Sequence, residues 1–123
     1  MTTAIPATLT PATDAEKLDV YRVALAAHTQ ATTILTADHR ILRDQLERAS
    51  LSVVLNVSEG AGRRSPKDKR RHYAIARGSA LECAAAVVVV AIRRLGEPSE
   101  VTALHALFVD VIQMLTKMDE ALA

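Results

Sequence analysis
From residue 101 onward one apolar stripe runs through Val101, Leu104, Phe108, Val111, Leu115, Met118 and Leu122. The steps alternate three and four, the seam of a helix packed nearly antiparallel against others in a left-handed bundle. The same reading works backwards along the chain. Residues 66–95 are apolar for long stretches, with Ser65 and Pro66 placed to open a helix and Gly96 and Pro98 to close it. Asp68 in the first turn suits the helix dipole. The run Val87 to Val90 resembles a strand, but it lies in a long alanine-rich segment with no turn residues and no strand partner. Residues 38–60 predict a second helix through Leu42, Leu46, Val53 and Val57. Gly60 and Gly62 are candidates for a left-handed residue ending it. Thr13 and Glu16 have capping-box spacing, and a first helix is expected from there to about residue 30, with Leu18, Tyr21, Leu25 and His28 on one face. The threonine-rich stretch 31–37 is expected to be a loop or a fraying end.

Four helices with short connections predict an all-α, antiparallel up-down-up-down four-helix bundle. The bundle takes residues 13–123. Residues 1–12 are mostly Thr, Ala and Pro without periodicity and are read as a flexible tail. One segment does not fit an isolated bundle. Between residues 80 and 92 only Glu82 is polar. A helix apolar on every face must be covered on every face, so self-association is expected.

Composition sharpens this picture in two ways. Half of the 123 residues are hydrophobic, yet the aromatics are only two Tyr and one Phe, so the core is aliphatic and alanine-rich. Net charge is +1, but residues 63–71 carry Arg63, Arg64, Lys67, Lys69, Arg70 and Arg71 against Asp68, which leaves −4 for the rest. That is one basic spot on a mildly acidic body. Cys83 is the single cysteine, which fits a reducing compartment. The N-terminus lacks a signal-peptide pattern, and the longest apolar run has ten residues, about half of a bilayer span. A soluble cytoplasmic protein, with no membrane partner, is expected.

The polar residues inside the helices are the candidate chemistry. Gln45, Ser52, Asn56, Glu59 and Arg63 share a stripe with Ala49 on the second helix. Gly78, Ser79 and Glu82 lie on the third. Folding these helices about a turn near Arg64 brings Asn56 to His72, Ser52 to Ala76, Ala49 to Ser79, Arg48 to Glu82, and Glu59 to Lys69 and Arg70. A structural polar seam of Arg48, Ser52, Asn56, Glu59, Gly78, Ser79 and Glu82 is expected, with Arg48 and Glu82 as an inter-helix ion pair. Gly78 is expected where the backbones approach closely near Ala49. No cofactor, metal site or enzymatic activity is expected. Glu59 has no second carboxylate at a working spacing, Cys83 no histidine partner, and the Glu-x-x-His signature of di-iron bundles is missing. The basic turn suits non-specific phosphate contact with RNA or DNA, while Tyr73 is the only aromatic nearby for stacking. The alternative is a scaffold whose turn docks an acidic protein.

The segments QLERASLSVVLNVSEGAGRRSPKD and HYAIARGSALE carry a resemblance. Together they are similar to the motif of the four-helix-bundle proteins encoded in intervening sequences of bacterial 23S ribosomal RNA genes, Q-L-x-R-A-S-x-S-I-x-x-N-I-A-E-G, then S-x-K-D, then I-A-x-G-S-x-x-E. Accessory variability determinant proteins of diversity-generating retroelements are similar too. The chain departs from the family in ATTILTADHR, where an aromatic-Pro segment is usual. The resemblance implies a ring-like homopentamer without enzymatic activity. In its retroelement branch it implies nucleic-acid or nucleoprotein partners, including a reverse-transcriptase-type partner.

Overall fold
The computed structural model describes residues 5–9 and 13–123. Four helices make up the bundle: α1 (Asp19–Ala31), α2 (Arg40–Gly62), α3 (Pro66–Ile92) and α4 (Pro98–Leu122). Short 3₁₀ turns at Ala15–Lys17 and Ala37–His39 lead into α1 and α2. No strand occurs among the described residues, and the four valines lie inside α3. Each helix packs on its two chain neighbours around a closed square, with α1 returning to α4 and no packing across either diagonal among the described residues. This is the up-down-up-down bundle. Of the expected tail, residues 1–4 and 10–12 lie outside the described residues. Within 5–9, the Leu9 N–H donates to the Pro6 carbonyl at 3.0 Å and closes a turn.

The helix ends follow local chemistry. The Ser65 hydroxyl accepts from the Asp68 N–H at 3.1 Å, and Pro66 opens α3. Glu97 caps α4, its carboxylate accepting from the Ser99 and Glu100 N–H groups at 3.2 and 3.0 Å. Gly96, at φ 69°, makes the left-handed turn between α3 and α4, and a Cβ there would lie 3.2 Å from the Ile34 carbonyl oxygen. Of the predicted capping box only the glutamate half forms, Thr13 N–H donating to Glu16 Oε2 at 3.3 Å, and it lies at the Ala15–Lys17 turn. The first helix does not run on from there, because Leu18 is extended and α1 opens at Asp19.

Two core clusters meet in mid-bundle. One gathers Leu46, Val87, Val90, Leu104 and Phe108; the other gathers Val53, Val57, Tyr73, Val111 and Leu115. The α4 stripe is buried as its spacing predicts from Val101 to Leu115, while Met118 and Leu122 are partly buried. The predicted face of α1 is shifted. Its core face is Val20, Ala24, Ala27 and Ala31, and the larger Leu18, Tyr21 and Leu25 pack at its margins. Small residues let α1 sit close, so the bulky side chains are displaced to the sides. The expectation of no bilayer-length segment rested on uninterrupted runs. By length and composition α3 and α4 are both apolar enough to cross a membrane, with mean hydropathies of 1.9 and 1.3 over their best windows.

Candidate nucleic-acid interface at the α2–α3 corner
The corner is built on Gly60. It is helical, and neither it nor Gly62 has the left-handed backbone that the sequence allowed for them. A Cβ at Gly60 would lie 2.6 Å from Tyr73 Cε1 and 3.2 Å from His72 Cβ, so glycine is what lets α3 cross here. Gly78 has open space around its Cα; the close approach expected there belongs to Gly60. Tyr73 is buried beneath the crossing at 4 % exposure, and burial raises its hydroxyl pKa. No stacking platform for bases remains at that position.

Behind the corner runs the polar seam. Asn56 Nδ2 donates to the Ser52 carbonyl at 3.0 Å and to Ser52 Oγ at 3.3 Å. This leaves Asn56 Oδ1 to accept from His72 Nδ1 at 3.3 Å, so the His72 proton sits on Nδ1 and Nε2 faces Arg71 Nη2 at 3.5 Å. Ser52 Oγ meets Ser79 Oγ at 2.9 Å, three residues beyond the expected Ala76. A second polar contact, between α1 and α2, has the fully buried Ser50 hydroxyl donating to the Glu47 carbonyl at 3.1 Å and accepting from His28 Nδ1 at 2.8 Å. Arg48 and Glu82 are not paired within the chain. Both are exposed, and Arg48 Nη2 donates to Gln45 Oε1 at 2.9 Å on its own helix. The antiparallel register levels the two residues, but their side chains leave the seam outward.

The six basic side chains divide into two groups. Arg63 Nη2 donates to Glu59 Oε2 at 3.1 Å along α2, so Glu59 serves Arg63 and not the expected Lys69 and Arg70. Lys69 turns back and donates to the Gly60 and Ala61 carbonyls at 3.3 and 2.9 Å, neutralising the C-terminus of α2. Arg70 reaches α4 in a two-pronged contact with Asp119, at 2.9 and 3.4 Å. The Arg70 guanidinium holds the Asp119 carboxyl below the usual carboxylate range, and Asp119 raises the Arg70 pKa in return. Arg64, Lys67 and Arg71 remain. All three are exposed and none meets a carboxylate among the described residues. With Glu59, Asp68 and Asp119 included, the corner carries +3, not the +5 of the bare run.

Sequence reasoning missed the α4 partners. Besides Asp119, Thr116 Oγ1 accepts from Arg77 Nε at 2.9 Å. The signal was the polar pair Thr116 and Asp119 beside the α4 seam, facing Arg70 and Arg77 spaced two turns apart on α3. Other chemistry is poorly served. Cys83 is buried, and burial with the neighbouring Glu82 charge pushes its thiol up to about 12. No group of three His, Cys, Asp or Glu among the described residues is placed to hold a metal ion. What the corner can do is present three exposed cations that meet no carboxylate among the described residues at the positive end of the α3 dipole, an arrangement that attracts phosphate.

Comparison with known proteins adds one match. The family model described as 23S rRNA-intervening sequence protein matches residues 16–117. No curated protein matches the chain.

Proposed function
The chain belongs to the 23S rRNA-intervening sequence protein family, and for it we propose a non-enzymatic, self-assembling role in which copies form a ring of five that holds nucleic acid by its phosphates. The observation that carries the nucleic-acid part is the division of the basic turn. Arg63, Lys69 and Arg70 are committed to Glu59, to α2 carbonyls and to Asp119, while Arg64, Lys67 and Arg71 are exposed and meet no carboxylate among the described residues.

Three phosphate contacts are weak alone. Each neutralised phosphate contributes about −0.9 to the slope of log affinity against log salt on duplex DNA, so one subunit gives a slope of about −3. Ring assembly repeats the corner, and several weak contacts on one nucleic-acid chain then combine by raised effective concentration. The reading calls for little sequence preference, because Tyr73, the aromatic of the corner, is buried and offers no ring face to stack a base.

The test is a titration of the purified protein with short RNA and DNA duplexes and single strands at several salt concentrations. Binding that weakens steeply with salt is expected. Arg64→Ala/Lys67→Ala/Arg71→Ala should abolish it without changing the melting temperature by more than a few degrees. Arg70 and Lys69 are left intact in this variant because they hold the fold together. Absence of binding at low salt, or binding indifferent to the triple substitution, would overturn the reading and leave the turn as a docking point for an acidic protein.

A further inference from the structure
The exposed large apolar side chains of the bundle are concentrated on two of its helices. Among the described residues eight of the nine lie on α2 and α3, the ninth being Leu9 before the bundle, and α4 has none. The most open are Ile41 at 87 % and Ile92 at 75 %, with Leu55 at 54 % and Ile75 at 46 %. Scattered apolar residues are ordinary on a protein surface, and Val88 and Ile92 border α4 beside Val101 and His105. Ile41, Leu55, Ile75 and Val89 remain as exposed apolar positions on the two adjacent helices α2 and α3, an excess that marks a contact surface.

The seam hydrogen bonds fix what lies level with what on that face. Asn56 meets His72 and Ser52 meets Ser79. This register places Leu55 level with Ile75, Arg48 with Glu82, and Ile41 with Val89. The outward row of each helix therefore reads apolar, charged, apolar. The α2 row carries the cation, the α3 row carries the anion, and the two charges are not paired within the chain.

We propose that the occupant of this face is a second copy of the chain: the α2 row of one copy packs on the α3 row of the next, and Arg48 pairs with Glu82 across the contact. The inference rests on the self-assembly reading above and supplies its surface. In a ring whose axis runs along the bundle, neighbours are related by rotation about that axis, so residues level within one copy stay level between copies. The α2 of one copy then runs antiparallel to the α3 of the next, as it does to its own α3. Ile41, Arg48 and Leu55 come to Val89, Glu82 and Ile75 in one step. The apolar rows supply the association and the charge pair fixes the register, a division of labour also seen in helical assemblies.

Charge reversal with complementation between chains tests this. Arg48→Glu and Glu82→Arg each place like charges at the contact, and both positions are exposed, so each variant should keep the wild-type helical circular-dichroism spectrum and melt cooperatively. In sedimentation velocity each should assemble about tenfold or more weakly than wild type, equivalent to about 1.4 kcal/mol per contact. An equal mixture of the two should assemble more strongly than either variant alone, because in a ring of five four contacts can join opposite charges and only one must keep a like pair. Wild-type protein that sediments as a single chain would remove the self-assembly reading itself. If wild type assembles and the single variants assemble equally well, this face is overturned while self-assembly stands. Single variants that assemble weakly and gain nothing from mixing would overturn the Arg48–Glu82 contact between copies.

Discussion

A methyl group at Gly60 would enter the ring of Tyr73, whereas one at Gly62, two residues on, would meet nothing within 4 Å. The two glycines therefore give opposite expectations for one substitution. Gly60→Ala should destabilise by about 1–3 kcal/mol, the usual effect of overpacking a filled site. Gly62→Ala should be neutral or stabilising, by up to about 1 kcal/mol, through the unfolded chain. Thermal or urea unfolding of the two variants measures both. Sequence pointed instead to Gly78 as the close approach, because the side chain that crosses a helix cannot be read from one helix alone. Cys83 gives a second expectation at this scale. With its side chain buried and its pKa pushed up to about 12, it should resist alkylation in the native protein and react readily once urea unfolds the chain. Rapid native labelling would show that α3 opens around it.

At the scale of elements, polar contacts in its first two turns add to the core packing that holds α3. Ser65 caps it, Lys69 ties it to the end of α2, and Arg70 ties it to α4. Ser65→Ala should lower stability by about 0.5–2 kcal/mol, measured by denaturant unfolding. The Arg70–Asp119 contact carries a pH signature. Because Asp119 titrates below its unfolded value of 3.8, its stabilising contribution is complete at neutral pH and is lost as pH falls through the folded pKa. Asp119→Asn should therefore melt below wild type at pH 7, and the gap should close in acid. A gap that stays constant with pH would show that the pair contributes nothing through its charge. Helix ends and the α4 seam were legible in sequence because capping residues and three-four spacing are local signals. The core face of α1 was not, because alanines at Ala24, Ala27 and Ala31 carry little weight in a hydrophobic pattern yet permit the closest packing. The seam was legible as Asn56–His72, since folding two helices about a short turn determines levels. It was one turn off at Ser52–Ser79, since levels drift with the crossing angle. The basic turn was visible as a run, but which of its cations are free depends on Glu59, Asp119 and the α2 carbonyls, and Asp119 arrives from a helix more than forty residues away.

At the scale of the molecule, the apolar surface of α2 and α3 has no cover within one chain. Only 28 % of the most apolar stretch of α3 is buried. A lone bundle would leave Ile41, Leu55, Ile75 and Ile92 of α2 and α3 exposed to water, whereas the large apolar side chains of α4 are all buried or partly buried. The proposed self-assembly would cover that surface, and it would repeat a corner of three exposed cations around the ring. Both parts of the functional reading therefore hang on whether the bundle exists alone. Sedimentation equilibrium of the purified protein at micromolar concentration measures this directly. The expected mass is a whole multiple of the 13.2 kDa chain, five for the proposed ring, and a mass of 13.2 kDa would contradict the account.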